Sequence, residues 1–279
     1  MSTEAVPLAG TSAGEASATT VPERALAAGP TGRAVLAPVV FGVVVIGIWQ
    51  LVVAGLDVPP SVLPSPSSIV AEFGANVGNV AAGSLRTGAN ALVGLVVGAV
   101  IGVLAAVLAS VWRVLDGLAA PLVAALSVMP IVALAPVLYT LYGAGVETAR
   151  QLVAALAVLV PVYLNTLRGL RQVKPVHRDL MRAYAATPRQ QQLAVTLPTA
   201  APYVFTGLRI ASSLAVISAL VAEYFGGPVG GLGKSITTAA SSSNYPLAWA
   251  YVLGAILLGL VFYCAALLVE TWLTRSARS

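Results

Sequence analysis

The sequence predicts an all-α membrane protein with about six transmembrane helices. Of its 279 residues, 58% are hydrophobic and only 9% carry a charge, against roughly a quarter charged in a soluble domain. The apolar residues gather into runs of about twenty, the length that crosses a bilayer as a helix. The charges lie between those runs, and the abundant Gly within them is tolerated in lipid-embedded helices.

Residues 1–32 are rich in Ala, Thr, Ser, Gly and Pro, lack hydrophobic periodicity and read as a disordered tail. A first apolar run follows Arg33 and ends before Asp57, too long for a signal-peptide core. A short amphipathic piece around Ile69 to Phe73 is expected along the membrane surface. Further spans are expected over about 85–110, 117–142, 149–167, 200–222 and 248–273. Pro121, Pro130 and Pro136 interrupt the third of the six, so its freed carbonyls need protein or water as partners. A basic stretch occupies 168–198, and a Gly/Ser-rich stretch over 224–247 reads as a flexible outer loop.

An even number of spans puts both termini on one side. Arg24, Arg33, Arg113, Arg168, Arg171, Lys174, Arg178, Arg182, Arg189, Arg275 and Arg278 fall on that side, and only Arg86, Arg150 and Lys234 on the other. Basic residues stay inside, so the termini and the 168–198 segment are expected in the cytoplasm. The net charge of +5 therefore marks orientation and not nucleic-acid binding. A lone Cys264 and a lone His177 exclude an intrachain disulfide and a Cys/His metal site. Gly233-Lys234-Ser235 resembles the end of a phosphate-binding loop, but Pro228 stands where its first Gly is required and no strand precedes it.

Asn90, Gly94, Gly98, Gly102, Ala106 and Ser110 form a stripe of small residues on the second span. Such a stripe lets backbones approach closely, in a subunit contact or in packing within one chain, the latter preferred. Met129, Ser127, Tyr139, Thr140 and Tyr142 lie on or near the broken span and are candidates to line a substrate path. Tyr139 and Tyr142 serve equally as interfacial anchors. Ser212, Ser213 and Ser218 add polarity to the fifth span. Arg209 is expected to snorkel to the surface, and Glu223 to stabilise an outer gate or pair with Lys234. Met129, Tyr139, Ser213, Ser218 and Glu223 make up the candidate path.

The segment Arg178-Asp179-Leu180-Met181-Arg182-Ala183-Tyr184-Ala185-Ala186-Thr187-Pro188-Arg189-Gln190 is the most informative. Thr187, Pro188 and Gln190 are a helix start of the capping-box kind. The helix is expected to run from about Pro188 to Thr196 and to stop near Pro198. Between two spans, such a helix is either a plain connection or a handle for a soluble partner.

In the same segment the chain resembles the permease subunits of bacterial ABC importers. Their signature is Glu-Ala-Ala, three residues, Gly, nine residues, Ile, one residue, Leu-Pro. Leu197-Pro198 match its end, Val195 stands at the Ile position, Ala185 at the Gly position and Asp179 at the Glu position. Leu180 and Met181 replace the two alanines. Flanking stretches resemble the branch of nitrate, sulfonate and taurine importers: Leu63-Pro64-Ser65-Pro66, Ala200 through Ile210, Val221-Ala222-Glu223 and Gly230-Gly231-Leu232-Gly233. Tyr224-Phe225-Gly226-Gly227-Pro228 is closer to relatives for pyrimidine thiamine precursors and riboflavin. The resemblance covers about residues 60–273. It implies a type I importer permease fold over 33–279, a non-catalytic subunit that binds no cofactor directly while a cytoplasmic ATPase partner uses ATP. It further implies an extracytoplasmic solute-binding protein, a second copy of this chain and a coupling role for Asp179, Ala183, Tyr184, Ala185, Thr187, Pro188, Arg189, Leu197 and Pro198. A stand-alone secondary transporter or channel is the alternative, disfavoured by the lack of evident mid-membrane acids.

Overall fold

The computed structural model describes residues 32–143, 145–227 and 230–276; the expected tail lies outside them. The chain divides into two compact units after Ile48. The first described helix, α1 (Gly32–Gly55), has almost no buried side chain, as a lipid-facing span requires.

Among the described residues, every regular element of the second unit is a helix. The expected surface piece is α2 (Pro66–Ala75), begun by Ser65, whose hydroxyl accepts the Ser68 N–H with Pro66 at the first helical position. The spans follow as α3 (Val77–Val111), α6 (Thr148–Arg171), α9 (Leu197–Phe225) and α11 (Tyr245–Ser276). With α1 these are the five described helices long and apolar enough to cross a membrane.

The expected third span is not one helix. It is α4 (Arg113–Val128), a 3-10 turn over Ile131–Leu134 and α5 (Ala135–Tyr142). The break falls at Met129, extended at φ −69°, ψ 131°, because the residue before a proline is pushed out of the helical region and Pro130 has no N–H to donate. Pro121 and Pro136 break nothing: Pro121 lies inside α4, and Pro136 occupies the first turn of α5.

The core is α3, α6 and α9. Gly94, Gly98 and Gly102 face α6: a Cβ on Gly98 would collide with the Ala155 carbonyl, and one on Gly94 with the Ala154 methyl. The small-residue stripe therefore serves packing within the chain. Leu92, Val96, Val100 and Leu104 on the opposite face are exposed. Around the contact, Ala91, Ala154, Val158, Val162, Ala211 and Ala215 are fully buried.

Two expectations are corrected here. The Gly/Ser-rich stretch contains a helix, α10 (Leu232–Ser241), packed with buried Leu232, Gly233 and Ala239. The helix started by Thr187 does not stop near Pro198. After α8 (Pro188–Gln191) a π turn over Gln192–Thr196 leads straight into α9, so residues 188–225 form one helical rod. Pro198 falls in the first turn of α9, a position that a helix tolerates. A further helix, α7 (Pro175–Ala183), precedes it.

Candidate functional site

Three places in the fold carry the polar groups. The first is the basic segment, where α7 and α8 are joined by a tight turn. Ala186 N–H donates to the Met181 carbonyl and Ala185 N–H to the Arg182 carbonyl, both at 2.9 Å. Ala185 has φ +49°. This is a Schellman ending, whose penultimate position takes a left-handed residue and usually a glycine. Ala185, which the sequence resemblance sets at the signature's glycine position, thus has a backbone conformation that favours glycine. Thr187 then makes the full capping box: its hydroxyl accepts the Gln190 N–H, and the Gln190 side-chain oxygen accepts the Thr187 N–H at 2.8 Å. No residue of α7 or α8 is buried, and Leu180, Tyr184 and Leu193 are exposed. Asp179 pairs with Arg182 at 3.3 Å on the surface. A groove of about 410 Å³ lies between α7 and the start of α9, lined by His177, Leu180, Met181, Val195 and Pro198. His177 is a residue of α7.

The second place is a charge network at the opposite end of the bundle. Glu147, just before α6, accepts from Arg86 at 2.7 Å, Asn90 at 2.8 Å and Arg150 at 2.8 Å. Arg150 is fully buried and also faces Glu223, 3.6 Å away and itself fully buried. Glu223 Oε2 accepts from the Thr87 hydroxyl at 2.8 Å and the Gly233 N–H at 3.0 Å. Thr87 in turn accepts the Leu232 N–H at 2.9 Å. Tyr139 closes the ring: its hydroxyl accepts from Arg150 Nε at 3.3 Å and donates to the Ala222 carbonyl at 3.2 Å. Two carboxylates and two guanidiniums balance, so the buried charges are paired as burial demands. The Gly-rich sequence around α10 lets backbone approach them. Gly227 and Gly230 have φ +95° and +114°, and a Cβ there would press on Arg150 and on Arg86. Partial burial raises the Glu147 carboxyl, but the hydrogen bonds from Arg86 and Asn90 and the charges of Arg150 and Arg86 outweigh it and hold it below the ordinary value.

The third place is a cavity of about 520 Å³ among the broken span, α6 and α9. Met129 and Ser218 both line it, with Ser127, Ala157, Pro161 and Asn165. Of the candidate path residues, the structure brings these two together here. Tyr139 and Glu223 meet instead in the charge network, and Ser213 lines neither. Glu223 pairs with Arg150 and not with Lys234. Arg209 does not snorkel alone; it pairs with Glu270 of α11 at 3.0 Å. Arg150 and Asn165 were missed by sequence reasoning. Arg150 carried a usable signal, since a basic residue among the few outside the positive side invites the question of what neutralises it.

The comparisons with known proteins agree with this architecture. The family described as binding-protein-dependent transport system inner membrane component matches residues 98–279. The chain is similar to the riboflavin transport system permease protein of Chloroflexus aurantiacus, 38% identical over 81% of this chain and 85% of that one. It is also similar to the putative aliphatic sulfonates transport permease protein of Bacillus subtilis, 30% identical over 72% and 73%. A crystal structure of an amino acid ABC transporter with histidines shares the fold, with TM-score 0.58 at 15% identity over 70% of this chain and 94% of that one. A subunit that depends on a binding protein is not the stand-alone carrier or channel weighed above, nor is it itself an enzyme. The chain belongs to the binding-protein-dependent transport system inner membrane components: it is the permease subunit of an ABC importer.

Proposed function

We propose that residues 33–279 act as the translocation domain of an importer assembled from two copies of this chain, a cytoplasmic ATPase and an extracytoplasmic solute-binding protein. Both termini and the 168–198 segment lie in the cytoplasm. The ATPase grips the pair α7–α8 through Asp179, Ala183, Tyr184, Ala185, Thr187, Pro188 and Arg189, with Leu197 and Pro198 at the base of α9. ATP is used by that partner, and this chain binds no cofactor. The solute passes the cavity that holds Met129 and Ser218, with Ser213 along the route on its cytoplasmic side and Tyr139 and Glu223 toward the outer end. Solutes of the kind named for the relatives, riboflavin or an aliphatic sulfonate, are the candidates for this chain.

The observation that carries the reading is the α7–α8 pair, none of whose residues is buried, joined by a Schellman ending and a capping box and continuous with a span. A surface with Leu180, Tyr184 and Leu193 exposed at such a position supports a protein partner on that side. Coupling requires that ATP and the loaded binding protein favour different conformations of the permease.

The experiment is directional labelling together with copurification. In a Cys264→Ser background, Arg189→Cys reacts with an impermeant maleimide in inside-out vesicles and not in sealed right-side-out ones. A tag on this chain brings down a soluble ATPase, and Arg182→Pro in α7 releases it. Labelling of Arg189→Cys from outside sinks the orientation, and solute transport by the purified chain alone sinks the importer assembly.

A further inference from the structure

The cavity of about 520 Å³ has a one-sided polar chemistry. Among the described residues that line it, none is charged. Its backbone is also unusual. Pro130 and Pro161 each lack the N–H that a helix would offer to the carbonyl four residues earlier. Those carbonyls belong to Leu126 and Ala157, and both residues line the cavity. Two side chains add acceptors. Asn165 gives one of its two amide N–H groups to the Pro161 carbonyl at 2.8 Å, which leaves its oxygen and one N–H available. Ser127 donates to the Val123 carbonyl at 2.7 Å, which leaves lone pairs on its oxygen. Ser218 is more than nine-tenths buried, yet its hydroxyl makes no hydrogen bond among the described residues. Ser212 in the same helix, by contrast, donates to its own backbone at 2.7 Å.

The polar groups at the cavity are thus mostly oxygens with unused lone pairs, with one Asn165 N–H beside them, set in an apolar wall of Leu, Ile and Val. Oxygen lone pairs attract N–H and O–H donors and repel a carboxylate or sulfonate, whose oxygens only accept, and they disfavour bicarbonate, whose single O–H is outweighed by its charged oxygens. An anion would also lose its hydration here with no cation to replace it. The volume is that of a small-molecule site.

We propose that this cavity is a solute site for an uncharged organic molecule rich in hydrogen-bond donors, such as a heterocycle with ring N–H or hydroxyl groups, and that it excludes small anions. This rests on the permease reading above and narrows it. Asn165 and Ser218 are the specificity-determining residues: Asn165 accepts from the solute, and the Ser218 hydroxyl both accepts and donates.

The test uses the complete importer, purified from its host through a tag on this chain and reconstituted in proteoliposomes. ATP-driven accumulation is measured for riboflavin and an aminopyrimidine as neutral donors, and for ethanesulfonate and bicarbonate as anions. Accumulation of a neutral probe is expected, with Asn165→Leu and Ser218→Ala each lowering it about tenfold while the ATPase remains bound and active. Two small substitutions that keep ATPase activity exclude misfolding as the cause. Accumulation of an anion, accumulation of neither class, or unchanged neutral uptake in both variants overturns the inference. Absence of any ATPase from the purified material overturns the importer reading instead.

Discussion

Glu223 holds α9 to α3 and α10 through two hydrogen bonds on one oxygen, while its other oxygen faces Arg150 at the longer distance of 3.6 Å. The two roles separate by substitution. Glu223→Gln keeps a carbonyl oxygen for Thr87 and Gly233, while its amide nitrogen replaces the charged oxygen facing Arg150, which retains Glu147 at 2.8 Å. That change is expected to cost about 1 kcal/mol, the scale of one hydrogen bond's net worth. Glu223→Leu removes the acceptor as well. It strands the Thr87 hydroxyl and the Gly233 N–H in a buried setting, at roughly 1–3 kcal/mol each, and leaves Arg150 less compensated. A total of about 3–5 kcal/mol is expected. Thermal unfolding of the purified chain in detergent reads the difference. At roughly 2–4 °C per kcal/mol, the Gln variant falls a few degrees and the Leu variant at least twice as far. Equal shifts for the two, or a Leu variant more stable than the Gln variant, would refute the assignment of the Glu223 hydrogen bonds as the structural element.

Glu147 gives a pH dependence. Its carboxyl lies below the ordinary value, so its stabilising charge is fully present above the unfolded carboxylate value of about 4.3 and is lost as pH falls through the lower folded value. The stability gap between the native chain and Glu147→Gln, measured across acid pH, is expected to be full at neutrality and to close in that acid window. At Ala185, glycine relieves a left-handed strain of about 1 kcal/mol but loses a similar amount to the unfolded chain, so Ala185→Gly should leave stability within about 1 kcal/mol. Ala185→Val, β-branched at φ +49°, should lower both stability and ATPase copurification, by about 1–3 kcal/mol in stability. Gly98→Leu forces α3 off α6, where a Cβ already meets the Ala155 carbonyl and Val158. It should cost at least about 1–3 kcal/mol in thermal unfolding, whereas Val100→Leu on the exposed face should be neutral.

The parts legible in the sequence were those decided locally. Twenty apolar residues announce a span wherever they sit, and Thr187, Pro188 and Gln190 announce their capping box because all three partners lie within one turn. The proline-broken span was legible as trouble, and Pro130 alone, not Pro121 or Pro136, turned out to break it, since the outcome depends on where each ring falls in its helix. What escaped were choices made by distant neighbours. Residues 232–241 look like a loop by their Gly, Ser and Thr content, yet they are helical because Leu232 and Ala239 find buried partners. Thr87 and Glu223 are 136 positions apart, and nothing near either names the other. Arg209 beside Glu270 is the same case. The left-handed turn at Ala185 was hidden because alanine stands where glycine would have signalled it.

The π turn over Gln192–Thr196 joins α8 and α9 into a single rod of 38 residues, roughly 57 Å long at 1.5 Å per residue. One of its ends is the proposed ATPase grip and the other carries Glu223. A stroke applied at the grip therefore reaches the far ion cluster through one continuous helix, without a loop between them. The angular setting of that helix becomes the quantity that matters. Inserting one residue within α8 would swing the grip by about 100° around the axis while leaving the span's own packing untouched.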